Sequence, residues 1–316
     1  MMKNICVVGC GKIGRLHSRN LSKFSNLFFH SRSRSSAEKL NQGFNGKGIF
    51  NRFDEVLRSP DIDAVVISTP PKFHKEQIIQ SLQARKSILV EKPMCISEAE
   101  INEIEKTLGE TGDNAFLMVA ENYYYKPSLK KIKQLLEERY IGEIQSVLVK
   151  KVFEQPTTGW KSNYGALLEG GIHFIALISG IFDDTPDKID AYFPGQEKGE
   201  MERHSITKLE YKNKAFAQLT YSWNTKSLAK GVFQNSSIVG DKGKIIFESN
   251  GIYVFIISGR KTGLYWPNLP DVMGYSEMTR DFLMCLGDET RNPYSNFYKA
   301  KRDLTIIFQA YEHLDT

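Results

Sequence analysis

Three glycines near the start of the chain have the spacing of a loop that holds a phosphate group. Gly9, Gly11 and Gly14 form the pattern G-x-G-x-x-G between a short apolar run and a segment of helical periodicity. The first glycine permits a tight turn, the second lets a pyrophosphate approach the backbone, and the third lets the helix pack closely on the strand. The first helical N–H groups, near Lys12 and Ile13, would then face the anion. The pattern predicts a nucleotide site, and an ordinary strand-to-helix turn is the alternative.

The end of the second predicted strand carries hydroxyl and guanidinium groups where an acid is common. Ser31, Arg32, Ser33 and Arg34 follow that strand. A site that selects NAD usually has an acidic residue here for the ribose 2′-hydroxyl, whereas arginine accommodates a 2′-phosphate. Because a guanidinium group can bind phosphate through two hydrogen bonds, the loop favours NADP(H). NAD(H) stays possible if an acid elsewhere fills the role, and a basic loop without a ligand is the other alternative.

A lysine stands at the carboxyl end of a later predicted strand, in the segment Val90-Glu91-Lys92-Pro93. Ligands of open α/β sheets bind outside the carboxyl ends of the strands. Burial beside a positively charged nicotinamide would lower the pKa of Lys92 toward the range that is useful for proton transfer. A solvent-exposed lysine without a catalytic role is the alternative.

Two polar residues share one face of a predicted helix that is otherwise apolar. Glu169 and His173 are four residues apart, so their side chains lie on the same side. Buried polar groups need partners. The pair is therefore either an acid–base group or a core histidine bonded to the glutamate. A metal site is less favoured because no third ligand is apparent.

Composition bounds the class of protein. The chain has 316 residues with ordinary hydrophobic (41%) and charged (25%) content and a net charge of +5. No apolar run of about 18 residues is present, so no membrane span is predicted. The first strand begins too early for a signal peptide, and the cysteines form no C-x-x-C pair, so we expect a cytoplasmic protein without a metal. Scattered basic residues without a binding motif give no indication of nucleic-acid binding.

The order of predicted elements indicates an α/β protein with two domains. Residues 1–122 alternate strands and helices, which predicts a Rossmann-type, doubly wound parallel sheet. Residues 123–316 predict an α+β domain with a large, mainly antiparallel open sheet, whose last helices could pack back on the first domain. Helices are expected at 127–139 and at about 165–179. Strands of the second domain are expected at 146–153, 189–193, 205–211, 215–223, 232–239 and 244–248.

Together these motifs resemble the glucose–fructose oxidoreductase / inositol dehydrogenase / MocA family. Val7–Gly14 with His17 is similar to the opening of that family, and Ser68–His74 is similar to its T-P-N-x-x-H segment. Glu91–Pro93 is similar to its E-K-P motif, and Gly165–His173 to its glycine-rich segment ending in D-x-x-x-H. The resemblance covers nearly the whole chain, and four motifs in this order are more specific than any one of them.

The resemblance implies hydride transfer between nicotinamide and a sugar, cyclitol or related polyol or carbonyl substrate. It implies that Lys92 and His173 are a catalytic pair and that Glu169 orients His173 or binds a neighbouring hydroxyl. It also implies homodimers or homotetramers that assemble through the sheet of the second domain. Further cofactor contacts are implied at Ser31, Arg32, Ser33, Thr69, Pro70, His74, Glu91 and Lys92.

The chain departs from the family pattern at four positions, so a family substrate cannot be assumed. Glu169 and Ala176 replace aspartates, Pro71 replaces an asparagine, and Tyr124 replaces an arginine. Besides Lys92, Glu169 and His173, the expected substrate contacts are Tyr124, Trp160, Lys161 and Tyr164. The rival hypotheses are a non-catalytic NADP-binding redox sensor or scaffold, and another Rossmann enzyme such as a methyltransferase.

Overall fold

The computed structural model describes residues 2–112, 115–156 and 158–314. The chain forms two compact units. The first contains the described residues up to Glu121 together with Tyr275–Lys301, and the second contains Asn122–Gly274 and the described residues from Arg302 onward.

The regular elements alternate in the first half of the chain and are mostly strands in the second. The strands are β1 (Lys3–Val8), β2 (Ser25–His30), β3 (Gly48–Phe50), β4 (Ala64–Ile67), β5 (Ser87–Val90), β6 (Leu117–Val119), β7 (Ile144–Val152), β8 (Lys188–Tyr192), β9 (His204–Glu210), β10 (Phe216–Ser222), β11 (Asn235–Gly240), β12 (Gly243–Glu248), β13 (Val254–Ser258) and β14 (Thr262–Tyr265). The helices are α1 (Lys12–Leu21), α2 (Arg34–Gly43), α3 (Phe53–Arg58), α4 (His74–Gln83), α5 (Glu98–Thr111), α6 (Pro127–Glu137), α7 (Ile172–Phe182), α8 (Tyr275–Gly287) and α9 (Phe297–Tyr311).

The first unit is built on a six-stranded sheet in the order β3-β2-β1-β4-β5-β6. Every neighbouring pair of these strands is parallel. The doubly wound parallel sheet predicted from the sequence is thus confirmed. Strand β4 is buried along its whole length, as expected of a strand covered on both faces. All the strands point the same way, so the loops that follow β1, β2, β4 and β5 share one edge of the sheet.

Serines begin two helices of this unit. Ser33 accepts a hydrogen bond from the backbone N–H of Ser36 and caps α2, and Ser97 accepts one from the N–H of Glu100 and caps α5. Ser97 and Glu100 have the S-x-x-E spacing of a capping box, in which the glutamate side chain accepts from the backbone N–H of the serine. The Glu100 carboxylate instead accepts from the backbone N–H of Ile96, one residue earlier. Ser97 therefore supplies the N-cap, while the reciprocal bond of the motif is displaced by one residue.

The second unit is built on an eight-stranded sheet in the order β14-β13-β12-β11-β7-β10-β9-β8. It is mainly antiparallel, as predicted, but β7 and β10 are parallel neighbours. The sequence analysis did not identify this parallel pair, because β10 returns beside β7 only after α7, β8 and β9. It also missed β13 and β14, and β3 in the first unit. These strands are three to five residues long and are defined by their pairing more than by their own periodicity.

Candidate functional site

The glycine loop of the first unit has the geometry that each glycine was predicted to need. Gly9 has a φ of +101°, and a Cβ there would lie 2.7 Å from the carbonyl oxygen of Ser68. A Cβ at Gly14 would collide with the carbonyl oxygen of Gly9, so α1 packs directly on the turn. A Cβ at Gly11 would meet no atom of the described residues within 4 Å. The loop therefore leaves open space next to the N-terminus of α1, which suits a pyrophosphate.

The two arginines that follow β2 have different contacts. Arg34 donates to the carboxylate of Glu38 at 3.0 Å and to the side-chain oxygen of Asn51 at 2.6 Å. The exposed guanidinium of Arg32 lies with its Cζ 5.1 Å from the centroid of the Phe73 ring. Ser33 caps α2, and the hydroxyl of Ser31 accepts from the N–H of Ser33 at 3.3 Å. Both arginines are exposed, but the Arg34 guanidinium is held by two neighbouring side chains, while that of Arg32 contacts only the Phe73 ring among the described residues.

His74 joins the loops that follow β4 and β5. Its side chain is fully buried, with Nδ1 2.8 Å from the carbonyl oxygen of Pro93 and Nε2 2.7 Å from that of Thr69. Burial lowers the pKa of His74, and the two carbonyls together with the charges of Glu91 and Glu100 oppose this only in part. Thr69 donates its own hydroxyl proton to Gln77 at 2.6 Å. The structure thus brings Thr69, Pro70 and His74 together at the ligand edge of the sheet, with His74 holding the backbone.

Glu91 is paired with a residue of α1 that the sequence analysis placed only in a motif. The imidazole Nε2 of His17 lies 2.7 Å from the Glu91 carboxylate, and His17 is 1% exposed. Burial alone would raise the pKa of Glu91, but the hydrogen bond with His17 and the charges of His17, Lys92 and His74 lower it. The half-buried Lys92 therefore stands beside an ionised carboxylate that is fixed from the other side.

His173 is the half-buried residue of an otherwise buried helical segment in the second unit. A π-helical turn, Leu167–Gly171, runs into α7, where one continuous helix had been predicted. Residues 165–181 are all described, and all are buried apart from His173, which is half-buried. The segment lies close to β10, since a Cβ at Gly170 would collide with the hydroxyl of Tyr221. Such π-helical turns are frequent at functional sites.

An aromatic ring orients His173. The ring of Tyr123 stacks on the imidazole with centroids 4.8 Å apart and an interplanar angle of 17°. The edge of Phe174 contacts the same tyrosine at 5.1 Å, and the ammonium of Lys126 lies 4.1 Å from its centroid. Tyr123 is 4% exposed, so its ring is a fixed surface for the imidazole.

Glu169 forms an ion pair one turn before His173. Its carboxylate lies 2.9 Å from the ammonium of Lys161, and the glutamate is 5% exposed. Near it, Tyr221 accepts a hydrogen bond from the indole N–H of Trp223 at 2.9 Å. The sequence analysis named Lys161 and Glu169 separately, and the structure joins them. It missed Tyr123 and Tyr221, because aromatic residues in these segments are as typical of a core as of a site.

Two residues from distant parts of the chain cap the start of this helical segment. The Glu202 carboxylate accepts from the N–H of Leu167 at 2.8 Å and from the hydroxyl of Tyr311 at 2.7 Å. Tyr311 in turn accepts from the N–H of Leu168 at 3.1 Å. Burial raises the pKa of Glu202 to about 7, although these hydrogen bonds and Arg203 act in the opposite direction. No sequence pattern marked either capping residue.

The other predicted substrate contacts have different surroundings. Tyr124 is 5% exposed and donates its hydroxyl proton to Asp303 at 2.6 Å. The carbonyl oxygen of Tyr164 accepts from Arg203 at 3.0 Å. Trp160 belongs to the 3-10 turn Gly159–Asn163, and its side chain lies outside the described part of the structure. Lys161 is the member of this group that forms an ion pair with Glu169, one turn before His173.

Residues 2–112, 115–156 and 158–314 contain neither a metal-binding cluster nor a membrane-spanning helix. No group of three or more histidine, cysteine, aspartate or glutamate side chains in these ranges could hold a metal ion. No helix within them has the length and apolar character needed to cross a bilayer.

Comparison with protein families matches both halves of the chain. Residues 3–120 match a model described as the oxidoreductase family with an NAD-binding Rossmann fold. Residues 129–246 match a model described as the GFO/IDH/MocA C-terminal domain.

Individual relatives are distant in sequence and close in fold. Trans-1,2-dihydrobenzene-1,2-diol dehydrogenase of Xenopus tropicalis is 25% identical over 256 residues, which is 79% of this chain and 75% of that protein. An oxidoreductase of Agrobacterium radiobacter, solved with NAD+, L-tartaric acid and magnesium, superposes with a TM-score of 0.88 at 15% identity over 99% of this chain and 96% of that one. A levoglucosan dehydrogenase, solved with NADH and levoglucosan, superposes with a TM-score of 0.85 at 18% identity. The match covers 99% of this chain and 98% of that one.

Proposed function

The chain belongs to the GFO/IDH/MocA family of oxidoreductases, and we propose that it transfers a hydride between NADP(H) and a sugar, cyclitol or related hydroxy or keto compound. The observation that carries the proposal is the exposure of His173 from an otherwise buried helical segment, stacked on Tyr123. A histidine with only a core role would be enclosed like its neighbours.

The residues of the first unit fit a dinucleotide. Gly9, Gly11 and Gly14 leave open space at the N-terminus of α1, where backbone N–H groups of Lys12 and Ile13 suit the pyrophosphate. When bound, the nicotinamide ring supplies or accepts the hydride. The preference for NADP(H) is supported by the loop after β2, which has no acid at Ser31–Ser33 and leaves the Arg32 guanidinium exposed.

In this proposal two side chains act on one substrate oxygen, an assignment that rests on their positions in the family motifs. His173 accepts the hydroxyl proton during oxidation and returns it during reduction. Lys92 donates a hydrogen bond to the same oxygen and stabilises the negative charge that develops there. The Glu91 carboxylate that precedes Lys92 in the chain is held by His17 at 2.7 Å, which supports a fixed backbone position for the lysine.

The proposed substrate carries more than one hydroxyl. Lys161 and Glu169 form an ion pair next to His173, so an ammonium donor and a carboxylate acceptor lie within one turn of the proposed base. Neighbouring hydroxyls of a polyol can bind such a pair through charge-assisted hydrogen bonds. The names of the relatives, which refer to a diol and to levoglucosan, support the same class. A pocket for a single isolated alcohol would not need this pair.

A substrate screen tests the proposal. Sugars, cyclitols and their keto forms are offered with NADP+, NAD+, NADPH and NADH, and the absorbance of the reduced nicotinamide is followed. We expect turnover with one polyol class and a lower KM for the phosphorylated cofactor. Binding of NADP+ without turnover of any compound in the screen would favour the rival hypothesis of a redox sensor or scaffold.

We further propose a homodimer or homotetramer that forms through the eight-stranded sheet. Leu148 of β7 and Leu264 of β14 expose 42% and 52% of their surface, which supports an additional contact surface on these strands. Light scattering coupled to size exclusion measures the subunit number, and Leu148→Glu should shift it toward the monomer.

A further inference from the structure

Two cationic side chains from different loops contact the same aromatic ring in the first unit. The Cζ of Arg32, in the loop after β2, lies 5.1 Å from the centroid of Phe73. The Nζ of Lys72, in the 3-10 turn Pro71–Phe73 after β4, also lies 5.1 Å from it. Strands β2 and β4 flank β1, and the glycine loop follows β1. Arg32 therefore lies on the β2 side of this loop, while Lys72 and Phe73 lie on its β4 side.

Neither cation has an anionic partner among the described residues of the chain. The Arg32 guanidinium and the Lys72 ammonium make no hydrogen bond or ion pair with any residue in ranges 2–112, 115–156 and 158–314. Acidic residues nearby in the sequence are engaged, since Glu38 binds Arg34 and Glu76 accepts from Gln80. Two positive charges on one ring repel each other, and an exposed cation–π contact is a weak interaction. The arrangement would be stabilised by an anion.

The shared ring limits how far apart the two charges can lie. Because both lie 5.1 Å from one centroid, they are no more than about 10 Å apart. A phosphate that accepts charge-assisted hydrogen bonds of about 2.8 Å on two sides spans a comparable gap after a small movement of either side chain. Phe73 is half-buried, so it fixes where the two flexible side chains converge.

We propose that Lys72 is a second determinant of cofactor choice, binding the 2′-phosphate of NADP(H) together with Arg32 while Phe73 aligns both. The inference rests on the proposed function, because it assumes that a dinucleotide occupies the glycine loop. The phosphate would then be bound by residues of two loops, Arg32 after β2 and Lys72 after β4. The turn Pro71–Phe73 would be part of the cofactor site.

Equilibrium binding tests Lys72 without any need for turnover. Dissociation constants for NADP+, NAD+, adenosine 2′-monophosphate and adenosine 5′-monophosphate are measured by calorimetry for the wild type, Lys72→Met, Lys72→Arg and Arg32→Ala. Lys75→Met is the matched control, since Lys75 lies on the adjacent α4 and pairs with Glu103 at 3.1 Å. Inorganic phosphate serves as the competitor that separates recognition of a nucleotide from simple anion binding.

We expect Lys72→Met to raise the dissociation constants of NADP+ and adenosine 2′-monophosphate about 10-fold. Those of NAD+ and adenosine 5′-monophosphate should stay within about twofold of the wild type. Lys72→Arg should retain binding of the two 2′-phosphorylated ligands near the wild-type level. Lys75→Met should change none of these constants. If Arg32→Ala weakens NADP+ selectively while Lys72→Met has no selective effect, the inference is wrong and the NADP preference stands. If the wild type binds NAD+ as tightly as NADP+, the proposed preference fails and the role of Lys72 fails with it. Equal competition by inorganic phosphate against both nucleotide monophosphates would also overturn the inference.

Discussion

The ring of Tyr123 lies nearly parallel to the imidazole of His173, at a centroid distance of 4.8 Å and an angle of 17°. Stacking of this kind restricts rotation of the imidazole about its bond to Cβ. The tyrosine comes from the segment before α6 and the histidine from α7, so the packing of two helices determines which way the proposed base faces. The orientation of His173 is thus built into the second unit before any ligand arrives.

Replacement of His173 tests the proposed proton transfer. His173→Ala should lower kcat at least ~100-fold, the scale of a general acid–base contribution, and should remove the corresponding limb of the pH–rate profile. The affinity for NADP+ should stay near that of the wild type, as measured by calorimetry. Tyr123→Leu keeps the histidine and removes its stacking partner, so we expect a smaller loss of kcat with the pH limb retained. Full activity of His173→Ala would return this residue to a structural role.

Replacement of Lys92 tests the second catalytic assignment. Lys92→Met should reduce kcat at least ~100-fold because the hydrogen bond to the reacting oxygen is lost, while cofactor binding changes little. Steady-state kinetics and calorimetry measure the two quantities separately. Lys86→Met is a suitable control, since the Lys86 ammonium donates to the carbonyls of Ser59 and Ile62 at 2.7 Å and has no proposed catalytic part. A loss of cofactor affinity as large as the loss of kcat would contradict the assignment.

The buried carboxyl of Glu202 predicts a dependence of stability on pH. Its folded-state pKa is about 7, above the ordinary value of 4.5, so the folded protein holds this proton more tightly than the unfolded chain. The bound proton contributes its full stabilisation, about 3 kcal/mol, at pH values below 4.5. This contribution is lost as pH rises from there through about 7.

Glu202→Gln removes that titration. Relative to the wild type, the variant should gain stability as pH rises from about 5 to about 8, as measured by urea denaturation. Glu200→Gln, in an exposed position of the same loop, should show no such change. A constant difference between Glu202→Gln and the wild type across this range would show that Glu202 does not hold the proton.

The parts of the fold that depend on local chemistry could be predicted from the sequence. The tight turn at Gly9 and the close helix packing at Gly14 follow from the backbone and the adjacent strand, and the structure shows both. The approach of a pyrophosphate at Gly11 stays a prediction. Ser97 caps α5 for an equally local reason. The short strand β14 lacked any strong signal because its residues are only partly buried and it contains a glycine.

Contacts between distant segments could not be predicted. The π-helical turn at Leu167–Gly171 depends on the fit of Gly170 against Tyr221 in β10, which no helical pattern encodes. The bonds from Glu202 and Tyr311 to this turn join residues 35 and 143 positions apart. A single sequence indicates candidate reactive residues, while the groups that hold them in place come from remote strands and helices.

Tyr311 lies near the end of α9, yet its hydroxyl receives the N–H of Leu168, five residues before the proposed base. During synthesis on the ribosome, the helical segment of His173 emerges long before this partner does. The backbone N–H of Leu168 therefore lacks its native acceptor until residue 311 has left the exit tunnel. In a shorter nascent chain, the segment that carries His173 lacks this hydrogen bond.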